Sequence, residues 1–138
     1  FKFLNDICLK NMFHTSSQKS NWIFKDLNEL AEIRRNSNFN FIRKQTIDRN
    51  YLTYEEERCI LLHYEYLLKQ FLGHFDPPIT MPSVVGTSII YFKRFYLNQS
   101  VMEYHPKDIY LVCVYLAFKI EEFNVSIAQF LKNINTDE

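Results

Sequence analysis

Apolar residues that recur every three or four positions predict a first helix over about residues 26–43. Asp26 followed three residues later by Glu29 is a capping signal at its start. The apolar positions behind this signal are Leu27, Leu30, Ala31 and Ile33. Residues 13–25 show no sustained period and are expected to form an extended or irregular arm, while the polar residues 45–52 are expected to form a linker.

A second helix is predicted to begin after Thr53. Thr53 and Glu56 have the spacing of a capping box, in which the hydroxyl and the carboxylate satisfy amides that the helix leaves unpaired. The apolar positions that share one face are Ile60, Tyr64, Leu67, Leu68, Phe71 and Phe75. The helix is expected to end near Asp76, because Pro77 and Pro78 follow it and cannot continue a helix.

A third helix is predicted from about Ser83 to Leu97, with Pro82 at its first position. Its apolar stripe consists of Val85, Ile89, Phe92 and Tyr96, and the polar residues Lys93, Arg94 and Asn98 fall off that stripe. We interpret the small basic and aromatic cluster of Lys93, Arg94 and the nearby Tyr96 as an exposed helix face with solvated cations. Glycine costs about 1 kcal/mol relative to alanine inside a helix, so Gly86 is expected to permit a close helix crossing.

The next helix begins near Pro106, and its middle, residues 109–118, has no polar face. It is too short to span a bilayer, so other helices are expected to surround it. A further amphipathic helix begins at about Ser126, and only about two turns follow before Glu138, so we expect the chain to stop in mid-domain. No stretch alternates with period two, and the predicted fold is all-α, with a central apolar helix inside a helical layer.

The composition narrows the class of protein. A chain of 138 residues suits one ordinary domain. Sixteen Lys and Arg balance sixteen Asp and Glu, so there is no global positive field to attract nucleic acid. Three cysteines without CxxC spacing indicate free thiols in a reducing compartment. No apolar window is long enough for a membrane span.

Catalytic and metal-binding patterns are scarce. Cys59 and His63 share one helix face, but two ligands do not make a zinc site and no second pair has matching spacing. Cys113 lies inside the apolar helix, where burial makes a thiol inert. The sequence has no GxSxG and no P-loop, and Glu121 and Glu122 would point about 100° apart on a helix. We therefore expect neither an enzyme nor a bound metal or cofactor.

The stretch KIEEF, residues 119–123, conflicts with the local rules of helix ends. Lys119 suits the negative end of the helix dipole, whereas Glu121 and Glu122 oppose it by about 0.3–1 kcal/mol each. Such conflicts concentrate at functional sites. The ammonium of Lys119 is expected either to extend into solvent or to meet a partner group.

Two long stretches carry a family resemblance: MPSVVGTSIIYFKRFYLNQSVMEYHPKDI and LAFKIEEFNVS. They closely resemble the first cyclin box of cyclins of the H type, and MFHTSSQKSNWIF is similar to the amino-terminal start of those cyclins. The resemblance runs from about Met12 to the end of the chain and weakens over residues 37–48. It implies five helices packed around a central third one, in a regulatory subunit that has no catalytic residues.

The resemblance also implies partners. Cyclins bind a cyclin-dependent kinase, press its C-helix inward and complete the geometry of phosphoryl transfer. Cyclins of the H type act in the CDK-activating kinase, together with its kinase subunit and a RING-finger assembly factor, and join the transcription factor TFIIH in the nucleus. Direct nucleic-acid binding and membrane association are not expected.

The implied kinase-binding residues are Lys119, Glu122 and Phe123, where the central helix emerges at the partner surface. In cyclins the lysine at this position hydrogen-bonds the kinase, and its usual companion is a glutamate on the fifth helix, which is expected beyond Glu138. Many cell-cycle cyclins have an acidic residue where Lys93 stands, so Lys93 is not expected to inherit the internal salt bridge of that residue.

The expected organisation has three parts. Residues 1–25 form an irregular arm, of which 1–11 precede the first methionine and are expected to be dispensable; residues 26–52 form a helix and linker, and 53–138 an incomplete first cyclin box. Two alternatives remain: a nucleic-acid-binding factor with the cyclin fold, like TFIIB, and a cyclin partner of another transcriptional kinase. Zero net charge argues against the first.

Overall fold

A computed structural model of the chain describes residues 14–46 and 49–134. These residues form helices and no strands: α1 (Ser17–Trp22), α2 (Leu27–Lys44), α3 (Tyr54–His74), α4 (Pro82–Asn98), α5 (Pro106–Ile120) and α6 (Ile127–Ile134). The prediction of an all-α fold is confirmed. The chain divides into two compact units, Phe1–Ile33 and Arg34–Glu138. The expectation for residues 1–11 falls outside the described residues.

The smaller unit contains a helix that the sequence pattern did not predict. Within the stretch expected to be irregular, α1 begins after Ser16, whose hydroxyl accepts a hydrogen bond from the backbone N–H of Lys19 at 3.3 Å. Short polar side chains of this kind satisfy the amides at a helix start. The capping signal of α2 is also present, because the N–H of Glu29 donates to the Asp26 carboxylate at 2.9 Å.

Helix α3 begins at the predicted capping box. The Glu56 N–H donates to the Thr53 hydroxyl at 3.3 Å, and the Thr53 N–H donates to the Glu56 carboxylate at 2.7 Å. The hydrogen bonds from the backbone and side chain of Thr53 lower the pKa of Glu56, because they favour its charged form. The helix ends at His74, shortly before the two prolines.

The hydrophobic core lies in the larger unit, where α3, α4 and α5 pack against one another. Its fully buried side chains include Leu68, Val84, Phe92, Val114, Ala117 and Phe118. Aromatic rings fill the space beside them: Phe75 lies edge-on to Phe118 with ring centroids 5.4 Å apart, and α6 adds Phe130 to the same cluster. Edge-to-face pairs of this kind add to the stability that burial provides.

Helix α5 is the predicted central helix, but it is not covered on every side by the described residues. Val112, Leu116 and Ile120 are exposed by 61%, 45% and 53%. They recur every four residues, so they form one stripe that faces away from α3 and α4. In the described part of the chain, other helices therefore cover α5 on its buried face and leave this stripe exposed.

Two expectations for α4 also need correction. The fully buried positions include Val84 and Ser88, whereas the predicted Val85 and Ile89 are half-buried, so the inward face is rotated by one residue at the helix start. The Ser88 hydroxyl is satisfied by donating to the Val84 carbonyl at 2.7 Å. A Cβ atom at Gly86 would meet nothing within 4 Å, so this glycine does not mark a close helix crossing among the described residues.

Lys93 pairs with a residue of the neighbouring helix. Its ammonium lies 3.1 Å from the Glu65 carboxylate of α3, and about half of the lysine side chain is exposed. The basic face of α4 is thus only partly solvated, contrary to our interpretation. The pair is only partly exposed, and surface ion pairs contribute about 0–1 kcal/mol to stability.

A buried carboxylate organises the loop between α4 and α5. Glu57 of α3 accepts hydrogen bonds from the Ser100 hydroxyl and from the backbone N–H of Val101, the latter at 3.2 Å. The Ser100 hydroxyl oxygen in turn accepts from the Met102 N–H at 3.1 Å. Sequence analysis missed this network, which fixes the loop that leads into α5.

Candidate functional site

The candidate site is the turn at the end of α5, residues 119–125. Helix α5 starts at Pro106 with His105 as its cap, and its buried face holds it against α3 and α4. At its other end the backbone N–H of Phe123 donates to the carbonyl of Phe118 at 2.8 Å. This six-to-one bond is the mark of a Schellman turn, which closes a helix and reverses the chain.

Glu122 occupies the left-handed position of this turn, with φ of 55°. Glycine is usual there, because the Cβ of any other L-residue crowds the backbone at a cost of about 1–2 kcal/mol. The rings of Phe118 and Phe123 pack with centroids 5.5 Å apart, the apolar contact that accompanies such turns. This packing and the hydrogen bond keep a glutamate in a strained backbone conformation, with its carboxylate exposed.

The ammonium of Lys119 meets two groups of its own chain. It donates to the carbonyl of Val125 at 3.0 Å and lies 4.8 Å from the centre of the Tyr115 ring. Lys119 as a residue is exposed. The ammonium bridges the end of α5 and the segment before α6 at an accessible surface.

The two adjacent glutamates have different surroundings. The carboxylate of Glu121 accepts a hydrogen bond from the Thr87 hydroxyl of α4 at 2.7 Å, and the residue is half-buried. Glu122 is exposed. Because the helix ends between them, Glu121 joins the end of α5 to α4 while Glu122 points its charge toward solvent.

The structure brings the three predicted site residues into one turn. Lys119 and Glu122 are exposed, as residues that bind a partner need to be. Phe123 is half-buried against Phe118, so much of its surface is already used inside the chain.

Sequence analysis missed three residues that shape this turn: Thr87, Tyr115 and Val125. Tyr115 precedes Lys119 by four residues, a spacing that places both on one helix face, so it could have been found. The partnership of Thr87 with Glu121 spans 34 residues, and that of Lys119 with Val125 depends on the path of the chain after the helix. Helical periodicity reveals neither.

The remaining candidate residues have ordinary surroundings. Cys59 is exposed, and the His63 ring lies edge-on to Tyr64 with centroids 5.7 Å apart. Burial raises the pKa of the Cys113 thiol to about 11. Among the residues that the structure describes, no three His, Cys, Asp or Glu side chains come together as metal ligands would.

A helix that crosses a membrane must be both long and apolar. Within residues 14–46 and 49–134, no helix combines the length and the apolar character needed to cross a bilayer.

Comparison with known proteins places this turn in a family context. Residues 23–137 match the family described as cyclin, N-terminal domain. The chain is similar to Cyclin-H of Xenopus laevis, with 44% identity over 131 residues, covering 89% of this chain and 40% of that protein. It is also similar to Cyclin mcs2 of Schizosaccharomyces pombe, with 32% identity over 88% of this chain and 42% of that protein.

A solved structure shows a similar fold. One chain of the yeast TFIIK (Kin28/Ccl1/Tfb3) complex, determined by cryo-electron microscopy, superposes with a TM-score of 0.66 and 29% identity. The match covers 86% of the present chain and 46% of that chain. The present chain therefore spans less than half the length of these relatives, and what the whole protein does is a matter of proposal.

Proposed function

This chain belongs to the cyclin family, and on that premise we propose that it is the kinase-binding part of a regulatory subunit that activates a cyclin-dependent kinase. Cyclins are regulatory proteins without catalytic residues. The proposed role is that of cyclin H in the CDK-activating kinase associated with TFIIH. The similarity to Cyclin-H of Xenopus laevis supports this branch of the family.

The observation that carries the proposal is the position of the Lys119 ammonium at the end of the central helix. An ammonium has three N–H donors, and the Val125 carbonyl takes one of them at 3.0 Å. The group lies on an exposed residue whose helix is anchored in the core. It can therefore donate to carbonyl groups of a kinase without rearrangement of the helix that carries it.

The turn that follows Lys119 supports the same role. Glu122 has a left-handed backbone, and strained residues of this kind cluster at functional sites. Its exposed carboxylate and the partly exposed edge of Phe123 are proposed to contact the kinase beside the lysine. The proposed effect is mechanical: a cyclin at this position presses the kinase C-helix inward, so that the Lys–Glu pair and Mg²⁺ of the kinase are correctly placed.

The relatives support the proposed assembly. One similar chain is part of yeast TFIIK, a complex of Kin28, Ccl1 and Tfb3. By analogy, the partners of this protein are the catalytic subunit of the CDK-activating kinase, a RING-finger assembly factor and TFIIH, and its location is the nucleus. The absence of net charge is consistent with a protein partner rather than nucleic acid.

The test is Lys119→Ala in a full-length protein that contains this sequence, with kinase affinity measured by calorimetry. We expect binding to weaken by about 2–5 kcal/mol, the usual range for truncating one partner of a buried, hydrogen-bonded charge at an interface. Lys107→Ala, at the opposite end of α5, is the matched control and should leave the affinity unchanged. Unchanged affinity for Lys119→Ala, with the helical circular-dichroism signal intact, would contradict the proposed contact.

A further inference from the structure

We infer that Tyr115 is a positioning residue for the partner-binding lysine: its ring holds the Lys119 ammonium in place before a kinase arrives. This inference rests on the proposed function and deepens it, because it names a residue that acts through Lys119 and need not touch the kinase. The observation behind it is the distance of 4.8 Å between the Lys119 Nζ and the centre of the Tyr115 ring.

The geometry suits a cation–π interaction. Residues 115 and 119 are four apart on α5, so their side chains share one face of the helix. The ring presents its negative face to the ammonium at a distance within the roughly 6 Å over which this attraction acts. The Val125 carbonyl accepts from the same Nζ at 3.0 Å, so the charge is held by two groups at different angles.

The ring is itself held in place. Tyr115 is half-buried, and its ring packs against Phe130 of α6 with centroids 5.1 Å apart. Phe130 belongs to the buried aromatic cluster with Phe118 and Phe75. Ring contacts thus connect Tyr115 to the hydrophobic core, and this packing restricts the ring that lies against the Lys119 ammonium.

Positioning of this kind matters because a lysine side chain is flexible. An unsupported lysine loses rotamer freedom when it binds, and this loss opposes association. If Tyr115 and Val125 have already restricted Lys119, the loss on binding the kinase is smaller. The ring also leaves N–H donors of the ammonium available, since a π face takes no fixed hydrogen-bond geometry.

The experiment is a double-mutant cycle on a full-length protein that contains this sequence, with kinase affinity as one readout. Tyr115→Leu keeps apolar bulk against Phe130 but removes the π face, and it should weaken binding about two- to fivefold, equivalent to about 0.5–1 kcal/mol. Tyr115→Phe keeps the ring and should bind within about twofold of the parent, since the face of Phe also attracts cations. In a Lys119→Ala background, Tyr115→Leu should have no additional effect.

A second readout reports the contact directly and needs no kinase. In a protein labelled with ¹³C-lysine, protons at the end of the Lys119 side chain should be shifted upfield by the ring current of Tyr115. This upfield shift should persist in Tyr115→Phe and disappear in Tyr115→Leu. Tyr66→Leu, which removes an exposed tyrosine of α3, is the control and should leave the Lys119 signals unchanged.

The outcomes separate this inference from the proposed function. If Lys119→Ala weakens binding but Tyr115→Leu does not, or if Tyr115→Leu weakens binding equally with and without Lys119, the positioning role is overturned and the kinase contact stands. If Lys119→Ala itself has no effect, the proposed contact is wrong and the inference falls with it. The inference and the proposed function are both supported if Tyr115→Leu loses the upfield shift of the Lys119 signals and has no effect on kinase affinity in the Lys119→Ala background.

Discussion

The backbone N–H of Phe123 donates to the carbonyl of Phe118 at 2.8 Å, and the two rings pack with centroids 5.5 Å apart. This pair closes the central helix and directs the chain toward α6. Phe118 is completely buried, so the turn is anchored in the core even though Glu122, within it, is exposed. The sequence therefore changes abruptly from apolar to charged residues after Phe118 because the helix ends there at the protein surface.

Replacing Glu122 by glycine should stabilise the protein. Its φ of 55° is strained for a side chain with a Cβ and unstrained for glycine. After the greater chain entropy of glycine in the unfolded state is subtracted, we expect Glu122→Gly to raise the free energy of unfolding by about 0.5–1 kcal/mol in urea titrations.

Glu122→Ala is the matched control, because it removes the carboxylate without relieving the backbone strain. It should be less stable than Glu122→Gly. Equal stability of the two variants, with both more stable than the parent, would show that the charge of the glutamate, rather than its backbone conformation, opposes folding. If Glu122 also contacts the kinase, the stabilised glycine variant should bind the kinase more weakly, and stability and affinity would change in opposite directions.

Replacing Gly86 by alanine should also be stabilising. A Cβ at this position would meet nothing within 4 Å, and alanine is favoured over glycine inside a helix by about 0.8–1 kcal/mol. Gly73→Ala is a comparison from the last turn of α3, where the added Cβ is equally unobstructed and the gain should be smaller, because helix ends fray. A loss of stability in Gly86→Ala would show that a neighbour approaches this glycine after all.

Sequence patterns predicted the helices well where the signals are local. The Thr53 capping box and Pro82 at the start of α4 both lie where they were expected, because capping and proline geometry depend on neighbouring residues. The missed helix α1 has a single capping serine and too few residues to show a period.

The contacts that could not be predicted join distant parts of the chain. Glu57 and Ser100, and likewise Thr87 and Glu121, are brought together by the packing of helices, and nothing in the spacing of these residues marks them as partners. At the candidate site, the position of Lys119 at the end of an apolar helix was readable from the sequence. Its contact with Val125 was not, because that contact depends on how the turn reverses the chain.

Removing the buried carboxylate of Glu57 should destabilise the protein. Glu57→Leu would leave the Ser100 hydroxyl and the Val101 N–H without their acceptor, and each unsatisfied buried group costs about 1–3 kcal/mol. We expect a loss of about 2–4 kcal/mol in the free energy of unfolding, measured by urea titration.

Two comparisons isolate the cause. Glu55→Leu changes an exposed glutamate in the same helical turn and should alter stability by no more than about 0.5 kcal/mol. Ser100→Ala should cost less than Glu57→Leu, because it leaves one donor, the Met102 N–H, without its acceptor, whereas Glu57→Leu leaves two. If Glu57→Leu were as stable as the parent, the loop between α4 and α5 would not depend on this carboxylate.

Cys59 and Cys113 should differ strongly in their reactivity toward iodoacetamide. The thiolate is the reactive form, and burial raises the pKa of Cys113 to about 11, so about one thousandth of this thiol is ionised at pH 8 in the folded protein. Cys59 is exposed on α3 and should be alkylated first. A Cys8→Ser background removes the third thiol from the measurement, and mass spectrometry of peptides identifies the modified residue.

The raised pKa of Cys113 also predicts an effect of pH on the free energy of unfolding. The folded pKa of Cys113 is higher than the unfolded value of about 9. The stabilising contribution of the neutral thiol is therefore fully present below pH 9 and is lost as the pH rises toward 11. Cys113→Ala should therefore show a shallower loss of stability across this range than the parent, although its cavity lowers stability at neutral pH. Rapid alkylation of Cys113 at pH 8 in the folded protein, or identical pH profiles for parent and variant, would contradict a buried, neutral thiol at the centre of α5.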